Sequence, residues 1–207
     1  MVQFAKRQIV MVFVLLLGLA VPLIWLVRAR NPPQTRLDVP QKAWVQIFFK
    51  EIDERTKEAN LINLRTTRLV DSDIEVRLWK INGFDLVGIV LRRSAGKWSA
   101  TYLSKDLQSK KTGHELLEPP RSGWEGAWER LVGAGLLTQP DGDDEKCRVL
   151  TKDGLSYIVE SNLNNTYRTY IYGNPQLAVC DEAKQMIKIL QIVDQEFGLE
   201  WAKSDLK

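Results

Sequence analysis

Residues 74–102 read IEVRLWKINGFDLVGIVLRRSAGKWSATY. Ile74, Val76 and Leu78 alternate with other side chains at the two-residue period of a strand. Asn82-Gly83 suits a two-residue turn whose central residues need positive φ, so it folds the chain back into a second strand from Leu86 to Arg93. Ser94 to Gly96 reverses it again into Trp98, Ala100 and Tyr102. The stretch predicts an antiparallel meander of three strands, which places the chain among α+β folds.

Towards the N-terminus, Trp44, Ile47, Phe48, Ile52 and Ala59 recur at helical spacing, with Asp38 and Pro40 as start signals, and predict a helix over Val39–Asn60. Towards the C-terminus, residues 104 to 120 are polar, contain Pro119-Pro120 and read as a long loop. Ser122 and Glu125 have capping-box spacing, so a helix carrying Trp124, Trp128, Leu131 and Val132 starts there and ends near Gly133 or Gly135. Arg148 to Leu150, Tyr157 to Ser161 and Thr166 to Tyr172 form a second meander, stopped by Gly173-Asn174-Pro175. Ala183, Met186, Ile187, Leu190, Val193 and Phe197 are the stripe of a last helix ending at Gly198. The expectation is an α+β domain over 41–207 with about six antiparallel strands in two meanders and about three helices packed on one face.

Ahead of this domain, Ile9 to Val27 is an uninterrupted run of nineteen residues without a charge. At about 1.5 Å per residue such a helix crosses a bilayer core. Residues 1–30 are therefore expected to be a transmembrane signal-anchor, with Trp25 in the aromatic belt and the lipid bilayer as its partner. The competing reading is a cleaved signal peptide, against which stand the length of the run and Arg28 inside the only candidate cleavage site. Residues 31–40, with three prolines, read as an extended tether. Lys6 and Arg7 on one side stand against Arg28, Arg30 and Arg36 on the other, so the positive-inside count does not decide the orientation. A short tail before a large C-terminal domain favours an extracytoplasmic domain, periplasmic or extracellular, over a cytoplasmic one.

The chain has 29 Lys and Arg against 26 Asp and Glu. Four of the basic residues, Lys6, Arg7, Arg28 and Arg30, flank the apolar run, leaving 25 against 26. Such a near-neutral domain is no phosphate-neutralising surface, so no nucleic acid partner is expected. Cys147 and Cys180 are the only cysteines; one disulfide and two unpaired thiols are both compatible with the spacing.

No motif points to a reaction. With His114 as the single histidine, zinc sites built on a histidine pair are excluded. Ser94-Ala95-Gly96-Lys97 and Lys111-Thr112-Gly113 imitate motifs of serine β-lactamases, but the serine of that chemistry opens a helix, whereas here it sits in a turn between strands. Asp141, Asp143, Asp144 and Glu145 lack the Gly and Glu of a calcium loop; Lys146 and Lys152 occupy those positions. Asn164-Asn165-Thr166 spells a glycosylation acceptor that chance supplies often. Neither cofactor nor metal nor catalytic residues are expected. The aromatic residues are more informative: Arg168, Tyr170 and Tyr172 share one strand face and, if exposed, form a protein-binding surface. The opposing expectation buries that face under the last helix. The sequence as a whole reads as a membrane-anchored binding or scaffold module, an accessory subunit with a protein partner in or at the membrane. The alternative is an anchored envelope hydrolase.

Overall fold

The computed structural model describes residues 36–38, 45–70, 73–82, 85–106, 111–142, 147 and 154–202, all within one unit, Thr35–Lys207. In chain order the elements are β1 (Arg36–Asp38), α1 (Val45–Glu58), β2 (Ile74–Asn82), β3 (Asp85–Ser94), β4 (Lys97–Asp106) and β5 (Lys111–Leu116). They continue with α2 (Gly123–Gly133), β6 (Leu155–Leu163), β7 (Thr166–Gly173), a single 3-10 turn at Pro175–Leu177, and α3 (Asp181–Phe197). The seven strands form one sheet in the order β1-β7-β6-β2-β3-β4-β5. Strands β2 to β7 pair antiparallel throughout, and β1 joins β7 in parallel. The fold is α+β.

Local chemistry fixes each reversal. The pair Asn82↔Asp85 closes the β2–β3 hairpin. Ala95 and Gly96 take φ of 49° and 77° between Ser94 and Lys97, and the Asp73 carboxylate clamps that turn by accepting from Ser94 Oγ (2.7 Å) and the Ala95 amide (3.1 Å). Asn164 and Asn165, the residues other than glycine best suited to left-handed backbone, turn β6 into β7. Residues Ile74–Asn82 then pair along their whole length with Leu155–Leu163, which welds the two meanders together.

Two cores result, one on each face of the sheet. Val76, Leu78, Ile89, Leu91, Ala100, Tyr157, Val159, Tyr170 and Tyr172 meet Leu131 of α2 and Met186, Ile189, Leu190 and Val193 of α3. Each of those buried aliphatic or Met side chains contributes about 1.5–3 kcal/mol over an exposed one. On the opposite face Trp79, Ile81, Leu86, Val90, Leu103, Ile158 and Ile171 meet Ile52 and Ala59 of α1. Helices thus cover both faces, where one was expected. The reason is visible in β2 and β6: Glu75, Arg77, Glu160 and Asn162 look like a wet face but are buried. Arg77 is held by Glu75 Oε1 (2.8 Å from Nε), Thr56 Oγ1 (3.3 Å) and the Ile62 carbonyl (2.7 Å), so it ties the end of α1 to the sheet. Glu160 accepts from Trp79 Nε1 (2.7 Å) and the Tyr167 hydroxyl (2.6 Å).

Other expectations need revision. The long loop over 104–120 contains β5, which pairs Lys111–Leu116 with Thr101–Asp106. The tether contains β1, whose three residues lie beside Thr166–Arg168. Ser122 precedes α2 but forms no side-chain cap; its amide donates to Glu196 Oε2 (2.8 Å), and Glu125 accepts from Trp98 Nε1 (2.9 Å) instead of closing a capping box. The C-terminal ends of α1 and α3 fall near the expected residues. Asn60 (φ 51°) ends α1 with Leu61 bonded back to Thr56, and Gly198 (φ 70°) ends α3. Among the described residues no helix is long and apolar enough to cross a membrane. The expected span Ile9–Val27 with Trp25, the start of the first helix before Val45, and the strand at 148–150 lie outside the described residues.

Candidate functional site

Arg168, Tyr170 and Tyr172 share a face of β7, but that face is closed. Tyr170 and Tyr172 are each 2 % exposed. Their hydroxyls donate to the carbonyls of Leu136 (2.8 Å) and Pro140 (2.9 Å), the Arg168 guanidinium donates to the Gln139 carbonyl, and the tyrosine rings meet edge to face at 6.0 Å. A Cβ built on Gly142 would stand 2.3 Å from the Tyr172 ring, so the glycine lets the chain lie flat on it. Burial is the main cause raising both phenols far above their ordinary range. The two tyrosines are core, and of the three residues only Arg168 keeps partial exposure.

The remaining residues singled out in the sequence are dispersed. His114 is exposed on the edge strand β5, not in a loop. Ser94 and Lys97 flank the Asp73-clamped turn. Asp141 caps the sheet edge by accepting from the Ile171 amide (3.1 Å), while Asp143, Asp144 and Glu145 lie outside the described residues. Cys147 and Cys180 are bonded to each other across a sequence separation of 33. On the chain-entropy model a loop of that length stabilises by about 3 kcal/mol. Cys180 also opens α3, its sulfur accepting from the Ala183 amide at 3.3 Å.

What the sequence reading missed is a tryptophan cluster assembled across the fold. Trp98 comes from β4, Trp124 and Trp128 from consecutive turns of α2, and Phe197 from the last residue of α3. Trp98 lies 6.4 Å from Trp124 with planes 9° apart and 5.1 Å from Trp128 at 44°; Trp124 lies 6.4 Å from Phe197. All four rings are partly exposed. Two polar contacts fix the geometry. Glu125 accepts a hydrogen bond from the Trp98 indole N–H, and the Arg93 guanidinium sits 5.6 Å over the Trp98 ring, within cation–π range. Exposed Glu129 and Val132 continue the α2 surface beside the rings.

Such a surface is suited to contact rather than to bond making. Tryptophan rings give large areas at little conformational cost, and here Leu91, Ala127 and Leu131 back them from the core. The only hint in the sequence was the Trp124/Trp128 pair at i, i+4, which looked like one apolar stripe. That Trp98 joins it depends on α2 crossing the end of β4.

No family model matches this chain, and neither the curated proteins nor the solved structures contain a significant match to it.

Proposed function

We propose that this chain is a membrane-anchored binding module whose Trp98/Trp124/Trp128 surface docks a protein partner in or at the membrane. The observation that carries the reading is the cluster itself: three partly exposed tryptophans at a sheet–helix junction, with Glu125 and Arg93 fixing Trp98. Large rigid aromatics with an arginine beside them are the residue types that dominate protein interfaces. Two further features agree with it. The uncharged run Ile9–Val27 supplies the anchor. The Cys147–Cys180 bond suits an oxidising, extracytoplasmic compartment.

The test is purification of tagged full-length protein from its native membrane in mild detergent, alongside Trp124→Ala and Arg93→Glu variants. A stoichiometric partner is expected with the wild-type chain. Either substitution is expected to weaken it by at least about tenfold, as loss of a hot-spot residue does. Equal recovery by all three proteins, with all three folded, would contradict the assignment.

A further inference from the structure

A second feature lies beside Tyr102 and Trp201 and shares no lining residue with the tryptophan cluster. A cleft of about 340 Å³ is lined by Lys80, Asn82, Val87, Tyr102, Leu199, Glu200 and Trp201. That volume is in the range of small-ligand sites. Its floor comes from neighbouring strands: Lys80 and Asn82 of β2, Val87 of β3 and Tyr102 of β4. Its wall is the segment that leaves α3 at Gly198.

This wall is fixed and not a frayed helix end. The Asp194 carboxylate accepts from the amides of Trp201 and Ala202, both at 2.7 Å. The Trp201 carbonyl accepts from the buried Tyr157 hydroxyl at 2.9 Å, and the Trp201 ring stands 6.4 Å from that of Tyr102. Three hydrogen bonds and a ring contact therefore hold Leu199–Trp201 over the sheet, so a ligand meets a preformed site.

The lining chemistry narrows the ligand. Of the described lining residues, Lys80 and Glu200 carry opposite charges, so an anion meets Glu200 and a cation meets Lys80. Asn82 both donates and accepts. A wholly apolar ligand would desolvate these groups without replacing their hydrogen bonds. Against them stand the apolar surfaces of Val87, Leu199 and Tyr102, with the buried Trp201 ring behind Tyr102, and the partly exposed Tyr102 face attracts the partial positive charge of C–H groups. A neutral ring with hydroxyls around its rim and C–H groups on its faces satisfies both halves. We infer that the cleft between Tyr102 and the Leu199–Trp201 wall binds a neutral saccharide, with Asn82, Glu200 and Lys80 bonding its hydroxyls.

Saturation-transfer NMR on the full-length chain in phospholipid nanodiscs tests this with methyl glucoside, N-acetylglucosamine and N,N′-diacetylchitobiose as probes, and glycylglycine as a zwitterion. Transfer to the pyranose C–H protons of at least one saccharide is expected. The paired substitution Asn82→Ala with Glu200→Ala removes two exposed side chains outside the core. It is expected to weaken that binding by about tenfold or more, the loss of two hydrogen bonds, one to a charged group. Transfer to none of the saccharides, transfer to glycylglycine alone, or saccharide binding unchanged in the paired variant would each overturn the assignment.

Discussion

Arg77 is the residue on which the α1 side of the sheet turns. Its guanidinium and the Glu75 carboxylate are both buried, and three further groups complete their bonding, with Arg92 reaching Glu75 at 3.8 Å. Removing one partner strands the other charge, so Arg77→Ala is expected to cost about 3–5 kcal/mol in urea denaturation. Replacing both, as Glu75→Leu with Arg77→Met, is expected to recover most of the loss. A double variant less stable than Arg77→Ala would contradict this. Glu196 works differently. Burial pushes its pKa up, but the Ser122 amide and hydroxyl and the Arg130 guanidinium outweigh burial and hold it below its ordinary 4.5. A carboxyl with a depressed folded-state pKa contributes stability above the unfolded value and loses it as pH falls through the folded one. The stability gap between wild type and Glu196→Gln should therefore be full at neutral pH and shrink from about pH 4.5 downward. A gap independent of pH would show that Glu196 acts by shape alone.

Elements were legible in the sequence wherever periodicity and turn chemistry agreed. The β2–β3–β4 meander, the β6–β7 hairpin and α3 follow from alternation, turn residues and a terminal glycine, although Asn82, expected at the centre of the first turn, pairs with Asp85 as the last residue of β2. Strand β1 escaped because three residues are too few to show a period, and β5 because Lys111-Thr112-Gly113-His114 carries no alternation. The two-faced burial escaped because a charge such as Glu160 reads as solvent-facing unless its partners, Trp79 and Tyr167, are known to meet it. Gly88 shows what such packing demands of an element. A Cβ there would stand 2.6 Å from the Trp79 ring, which is buried flat against β3. Gly88→Ala is expected to destabilise by about 1–3 kcal/mol through overpacking, measured by chemical denaturation. At the turn, where a Cβ on Gly96 would meet nothing, the obstacle is φ rather than space. An unchanged midpoint in Gly88→Ala would mean that the ring shifts freely.

At the scale of the molecule, the site was the least legible part. Trp124 and Trp128 announced a stripe, but Trp98 lies 26 residues before Trp124, and only the crossing of α2 over the end of β4 brings them together. The Tyr102/Trp201 cleft is still less visible, since its wall depends on Asp194 holding backbone amides. Conversely, the Arg168/Tyr170/Tyr172 face carried the composition of an interface and became core, because α3 and the 136–140 segment lie over it. The most direct measurement is photocrosslinking from a photoreactive residue placed at Val132, 38 % exposed beside the tryptophans, or at Asp181. Asp181 opens α3 at the end opposite Phe197, about 24 Å away at 1.5 Å per residue. In native membranes a single adduct of defined mass from Val132 and none from Asp181 is the expected result. Adducts of the same mass from both positions, or none from Val132, would contradict docking through the tryptophan cluster.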